Sequence, residues 1–163
     1  LEIANYLNMV SEGRLSSESK LEIRGMLREV TEIESIGDSC YNLARTINRK
    51  RSGGNDFTEK QYEHIHQMMQ LTDDALAHMI AIVEDDHHVV DVNKSFNIEN
   101  EINNYRAQLK NQNVVDVNNK EYDYQMGVHY MDIIGECEKL GDYVVNVVEA
   151  RTNVKEKKTG DNR

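Results

Sequence analysis

The amino-acid sequence contains no proline, and this absence constrains the fold more strongly than any other feature. Proline interrupts helices and shapes tight turns, so a chain without it can carry long, continuous helices. Only nine of the 163 residues are glycine, and 39% are hydrophobic, a share that is typical of a globular protein with a packed core. We therefore predict an all-α protein.

Apolar residues recur at helical spacing in five segments, which predicts an antiparallel helical bundle. The first two predicted helices cover residues 1–12 and the stretch from Ser16 or Ser17 to Ser52. The third begins at Thr58, which has Gln61 at capping-box spacing, and the fourth covers residues 92–112. The fifth is predicted to begin at the similarly spaced pair Asn118 and Glu121, and a polar tail starts at Lys155.

The pattern Glu-x-x-Gly-Asp-x-x-x-Asn occurs once in the second predicted helix and once in the fifth. The two copies are 104 positions apart (138 − 34), and the apolar residues between the motif positions agree in character. We interpret the two helices as copies of one structural repeat. The motif residues are Glu34, Gly37, Asp38 and Asn42 in the first copy, and Glu138, Gly141, Asp142 and Asn146 in the second.

A second match precedes each motif helix, because Glu2-Ile3-Ala4-Asn5-Tyr6 resembles Glu101-Ile102-Asn103-Asn104-Tyr105. The third to fifth helices then form one three-helix unit, and the first two form part of another. We expect the missing first helix of that unit to lie before Leu1, in a longer parent chain. Residues 1–163 are predicted to form a single domain, divided into a partial first repeat at 1–54, a second repeat at 55–156 and a disordered tail at 157–163.

Each motif forms a column of oxygen ligands, because residues four apart follow one another on the same face of a helix. Such oxygens bind hard cations, and a cation would offset the repulsion between two carboxylates one turn apart. The sequence therefore predicts a divalent or trivalent metal ion, with Fe, Mn, Mg and Zn left open. The predicted ligands are Glu34, Asp38, Glu138 and Asp142, with Asn42 and Asn146 as additional ligands. A solvated acidic face is the simpler interpretation of a single column.

The surroundings of the column can also be predicted from helical geometry. An apolar stripe, centred nearly opposite the first column, is expected to face the core and to leave the column open to solvent. Gly37 and Gly141 each reduce helix stability by about 1 kcal/mol, which indicates close packing against a neighbouring helix. The stripe consists of Ile33, Ile36, Cys40 and Leu43.

Charge and cysteine content exclude several classes of protein. The net charge of −10 disfavours nucleic acid as a partner. Cys40 and Cys137 lie in apolar helical patterns and are predicted to be buried thiols in a reduced compartment. No apolar run approaches the roughly 20 residues that span a bilayer. His87 and His88 follow three acidic residues and are interpreted as a solvated corner rather than a metal site.

Both motif copies resemble a known family signature. Glu34-Ser-Ile-Gly-Asp38 and Glu138-Lys-Leu-Gly-Asp142 are similar to the E-R-I-G-D motif of PhoU-domain proteins, although Ser35 and Lys139 replace an arginine that is frequent there. PhoU proteins are twin three-helix bundles that bind metal clusters through acidic motifs and regulate phosphate uptake. The resemblance therefore implies a non-enzymatic, metal-binding regulatory domain.

The segment Glu34-Ser-Ile-Gly-Asp-Ser-Cys-Tyr-Asn42 is similar to one branch of the family, the cytoplasmic C-terminal domain of sodium/phosphate cotransporters. That branch implies a transporter membrane domain in the same parent chain, a location at the cytoplasmic face of the inner membrane, and no membrane insertion by the chain itself. A homodimer is a further assembly to be expected. The alternative is a metal-free helical interaction module that binds a basic partner surface.

Overall fold

A computed structural model describes residues 2–52, 56–85 and 89–160 of this chain, with side chains described for 2–50, 56–85 and 89–152. Within these residues the fold consists of five α-helices and contains no strand, which confirms the predicted all-α class. The helices are α1 (Glu2–Ser11), α2 (Ser17–Ser52), α3 (Glu59–Glu84), α4 (Asn93–Asn118) and α5 (Tyr124–Gly160). His87 and His88 lie outside the described residues.

The predicted helix start is confirmed at α3 and is wrong at α5. Thr58 and Gln61 form the predicted capping box, in which each side chain accepts a hydrogen bond from the other residue's backbone amide. The predicted start at Asn118 is wrong, because α4 continues to that residue and a turn with Lys120 at φ 60° follows. Asp123 caps α5 instead, and its carboxylate accepts a hydrogen bond from the amide of Met126 at 2.7 Å.

The apolar core lies between α3, α4 and α5, which pack on one another. Its centre is made of fully enclosed aliphatic side chains from all three helices, and Cys137 is buried among them as predicted. Side chains with no exposed surface are those of Met68, Ile102, Ile134, Cys137, Val144, Val147 and Val148.

At its C-terminal end α5 continues to Gly160, past residue 157, where the disordered tail was predicted to begin.

Helix α2 packs along α5, and the order of the hydrogen bonds between them shows that the two helices are antiparallel. The polar contacts between the two helices show this register. They join Arg28 to Glu149, Glu32 to Asn146 and Ser39 to Glu136, each at 3.1 Å.

The apolar stripe predicted for α2 is divided between two faces. Ile36 is buried against the core and Leu43 is partly buried there, as expected. Ile33 is 47% exposed and Cys40 is exposed, so the prediction that they are buried is wrong. The 3.6-residue period identified an apolar side of the helix, but the neighbouring helix covers only one edge of it.

No helix among the described residues is both long enough and apolar enough to cross a membrane.

Candidate functional site

The column on α5 lies in a partly enclosed position beside α4. The side chain of Glu138 is 22% exposed, and one of its carboxylate oxygens lies 3.4 Å from Nε of Arg106, on α4. Asp142, one turn further along, is more exposed than Glu138. The two carboxylates and the guanidinium group therefore form a small cluster between α4 and α5.

This position raises the pKa of both carboxyl groups. Burial is the main cause at Glu138, and the charges of Asp142 and Glu99 raise its pKa further, whereas Arg106 and Lys139 lower it. Burial also raises the pKa of Asp142, and Arg106 again acts in the opposite direction. A carboxylate that is partly desolvated beside another carboxylate gains from a nearby cation. The α5 column therefore favours a positive charge more strongly than an open acidic face does.

The third member of the column, Asn146, is turned towards α2. Its amide nitrogen donates a hydrogen bond to a carboxylate oxygen of Glu32 at 3.1 Å. The residue 104 positions after Glu32 is Glu136, which accepts a hydrogen bond from the Ser39 hydroxyl at 3.1 Å. The equivalent glutamates of the two repeats thus each bond to the opposite helix, and sequence reasoning did not assign them this role.

The column on α2 is exposed throughout. Glu34, Asp38 and Asn42 all lie at the surface. Among the side chains that the structure describes, no three His, Cys, Asp or Glu residues are close enough to hold one metal ion. One chain therefore supplies two separate pairs of carboxylates, and the structure does not bring the predicted ligands together in one cluster.

The two motif glycines differ in their surroundings. A Cβ atom at Gly141 would lie 3.1 Å from Cδ1 of Ile102, which confirms the predicted close packing against a neighbouring helix. A Cβ atom at Gly37 would meet nothing within 4 Å, so the same prediction is wrong there. Ile102 packs beside Gly141, whereas Ile3, its partner in the second sequence match, does not come within 4 Å of a Cβ atom at Gly37. That match therefore does not relate structurally equivalent positions.

A polar cavity of about 290 Å³ lies at the other end of the second unit, near the start of α3. On its wall, Nδ1 of His64 lies 2.9 Å from the hydroxyl of Tyr130. Burial lowers the pKa of His64 and raises the pKa of Tyr122 to about 12, which favours the neutral form of both. The cavity is also lined by the charged residues Lys60, Asp116 and Glu121. No sequence motif indicated this group, because its members come from three different helices.

The fold and the repeated columns define a helical-bundle domain with a duplicated carboxylate motif. The family model described as the PhoU domain matches residues 65–150, more than half of the chain. The chain therefore belongs to the PhoU domain family, which is regulatory and non-catalytic. Searches of curated proteins and of solved structures each gave no match. The matched residues lie in α3, α4 and α5, and α1 and α2 fall outside them.

Proposed function

We propose that this chain is a non-enzymatic regulator of phosphate transport that binds a metal ion through its acidic columns. Membership of the PhoU family supports the role in phosphate regulation. The observation that carries the metal assignment is the α5 column, where Glu138 and Asp142 are one turn apart and burial raises the pKa of both. Hard oxygen donors in such a position suit Mg, Mn, Fe or Zn.

In this proposal Glu138 and Asp142 bind the metal directly and water completes the coordination. Arg106 is the competing cation, because its guanidinium group already lies 3.4 Å from Glu138. Glu34 and Asp38 on α2 form a second, more exposed site, to which Asn42 adds an amide oxygen. Asn146 adds one to the α5 site. The metal neutralises the paired carboxylates and restrains the helix that carries them.

We further propose that the domain acts beside a sodium-dependent phosphate transporter at the cytoplasmic face of the inner membrane. The support is the resemblance of the segment from Glu34 to Asn42 to that branch of the family. The transporter membrane domain of the parent chain is then the main partner. Binding of a metal ion at the columns is the signal by which the bundle regulates that domain.

A second candidate function follows from the contact between Glu138 and Arg106. This contact shows that the column accepts a guanidinium group. The columns then serve as docking points for basic side chains of a partner protein, without metal. Because these contacts are exposed or half-exposed, binding of that kind weakens strongly as salt is added.

Isothermal titration with Mg, Mn, Fe and Zn, together with elemental analysis of the purified chain, separates the two functions. The test variant carries Glu138→Gln and Asp142→Asn, and the matched control carries Glu101→Gln and Asp132→Asn, which remove two exposed carboxylates from α4 and α5. We expect the test variant to lose at least tenfold in metal affinity and the control to keep it. Arg106→Gln should strengthen metal binding, because it removes the competing cation. Equal affinities of the test and control variants would contradict the metal assignment.

A further inference from the structure

The polar cavity near the start of α3 has no part in the proposed function, because none of the six predicted metal ligands lines it. Its volume of about 290 Å³ is at the lower end of the range for small-molecule sites, roughly 300–1,000 Å³. It is surrounded by the first turns of α3, the last turns of α4 with the turn that follows, and Tyr130 of α5. The cavity is therefore large enough for a small organic compound.

The charged groups of the lining are two carboxylates and one ammonium group, so the cavity is negative when His64 is neutral. Burial is the main cause of the lowered pKa of His64, which favours that neutral form. The carboxylates of Asp116 and Glu121 belong to neighbouring residues, since the amide of Glu121 donates a hydrogen bond to the carbonyl oxygen of Asp116 at 3.0 Å. A negative cavity attracts cations and repels anions such as phosphate.

The carboxylate of Asp116 is largely enclosed, with 13% of its side chain exposed. It accepts a hydrogen bond from the side-chain amide of Gln112 at 2.7 Å. The ammonium group of Lys60 lies 3.7 Å away, beyond ordinary hydrogen-bonding distance, on a side chain that is 57% exposed. An enclosed carboxylate whose cationic neighbour is distant and solvated gains from a closer cation.

Two tyrosine rings complete the wall of the cavity. Tyr130 is 2% exposed, and its hydroxyl lies 2.9 Å from Nδ1 of His64. The hydroxyl of Tyr122 donates a hydrogen bond to the amide oxygen of Asn113 at 2.9 Å. Burial is the main cause of the raised pKa of both tyrosines, and the charge of Asp116 raises it further. Aromatic rings bind ammonium groups over their faces, most strongly where water is excluded.

The buried side chain of Gln61 does not change this charge balance. Its Oε1 accepts a hydrogen bond from the amide of Thr58 at 3.0 Å, which fixes the orientation of the side-chain amide. Its Nε2 makes no hydrogen bond and is enclosed by protein atoms, so it does not offer a donor to the cavity. The charged groups and the aromatic rings therefore determine what the cavity binds.

We infer that this cavity binds a small organic cation that carries two ammonium groups. One ammonium group binds Asp116, closer than Lys60 does, and lies against the rings of Tyr122 and Tyr130. The other binds Glu121, which is exposed at the outer side of the cavity. A lysine side chain of a partner protein has a single ammonium group and makes only one of these two ion pairs.

Isothermal titration with 1,4-diaminobutane tests the inference on the whole chain. At physiological ionic strength the Debye length is about 8 Å, so general attraction by the net charge of −10 is screened. The matched ligand controls are 1,4-butanediol, which has the same carbon chain without charge, inorganic phosphate, and Nα-acetyl-lysine methylamide as a mimic of a lysine side chain. We expect the diamine to bind at least tenfold more tightly than each control. Absence of diamine binding, or equal binding of any control, would overturn the proposal.

Charge-removing variants test whether the diamine binds in this cavity. Asp116→Asn keeps an acceptor for Gln112 and removes the charge, so we expect at least tenfold weaker binding. The matched control, Asp73→Asn, removes an exposed carboxylate from α3 and should leave the affinity unchanged. Equal affinities of these two variants would contradict the assignment of the cavity.

Two exposed positions keep the test decisive if Asp116→Asn loses helical content. Glu121→Gln should weaken diamine binding about threefold, as expected for an exposed ion pair. Lys60→Gln should strengthen it, because this change removes the competing ammonium group. Unchanged affinity in both variants would overturn the proposal.

The α5 column is the competing site for a diamine, since it also pairs two carboxylates. The variant with Glu138→Gln and Asp142→Asn should keep its affinity for 1,4-diaminobutane, and loss of binding there would move the diamine to the column and overturn the proposal. Metal affinity is not measured in these titrations, so failure of either proposal leaves the other standing.

Discussion

Helices α2 and α5 carry the same motif at the same spacing, yet they occupy different environments. Helix α5 is enclosed by α2, α3 and α4, whereas α2 has α5 along one side and the short helix α1 near its start. The α5 column thereby acquires a cationic partner in Arg106 and carboxyl groups with raised pKa, and the α2 column is exposed. A local motif therefore supplies the donor atoms, and the neighbouring helices determine their chemistry.

The largest difference between the two helices is expected in how much equivalent isoleucine side chains contribute to the free energy of unfolding. Ile134 is fully buried and Ile33 is 47% exposed, so the same truncation has different costs. Ile134→Ala should lower the free energy of unfolding by about 2–5 kcal/mol. Ile33→Ala should change it by less than about 0.5 kcal/mol at concentrations where the chain is monomeric. Urea denaturation followed by circular dichroism measures both, and similar losses would show that α2 is as enclosed as α5.

A smaller difference in stability is expected when the last residue of each column is replaced by alanine. Asn146 donates a hydrogen bond to Glu32, whereas Asn42 is exposed. Asn146→Ala should cost about 1–1.5 kcal/mol, because it leaves the half-buried carboxylate of Glu32 without this donor. Asn42→Ala should be neutral in the same denaturation experiment. A neutral Asn146→Ala would mean that this contact does not hold α2 against α5.

The motif glycines provide the next comparison. Gly37→Ala should stabilise the chain by up to about 1 kcal/mol, because alanine favours helix and its Cβ atom meets nothing. Gly141→Ala should give no such gain, because its Cβ atom would press on the fully buried Ile102. Thermal unfolding of the two variants side by side tests this, and an equal rise in Tm would contradict the close packing at Gly141.

The smallest expected effect is a fall in stability in acid, which should differ between α3 and α2. His64 on α3 has a pKa lowered by burial, so below its usual value of about 6.5 the unfolded chain binds more protons than the folded chain does. Stability should therefore fall as the pH drops from about 6.5 towards the lower pKa of the folded state. Helix α2 contains no histidine. The fall in stability should be smaller in His64→Gln, and hydrogen exchange should show the acid effect in α3 rather than in α2.

Much of the fold could be predicted from the sequence, because the lack of proline and the apolar periodicity act locally. Thr58 and Gln61 predicted the start of α3, since a capping box needs only neighbouring residues. The same spacing at Asn118 was misleading, because α4 continues through this position and Asp123 provides the cap. Several residues near a turn can cap a helix, and the packing of the two helices selects one of them.

The site was less predictable, because its environment depends on residues that are distant in sequence. The motif identified Glu138 and Asp142, but no local pattern pairs Glu138 with Arg106 across two helices. Cys40 was predicted to be buried like Cys137, since both lie in apolar stripes of the same kind. Periodicity shows which side of a helix is apolar, and only the fold shows whether another helix covers it.

The enclosed core also bears on the order in which the chain folds. Helices α3, α4 and α5 are consecutive in sequence, so the contacts among them close shorter loops than the contacts between α2 and α5. Contacts with shorter loops form faster, and those that close long loops form late. We therefore expect the last three helices to form the folding nucleus and α2 to dock onto it afterwards. Unfolding then begins with the release of α2, and substitutions on that helix act mainly on the unfolding rate.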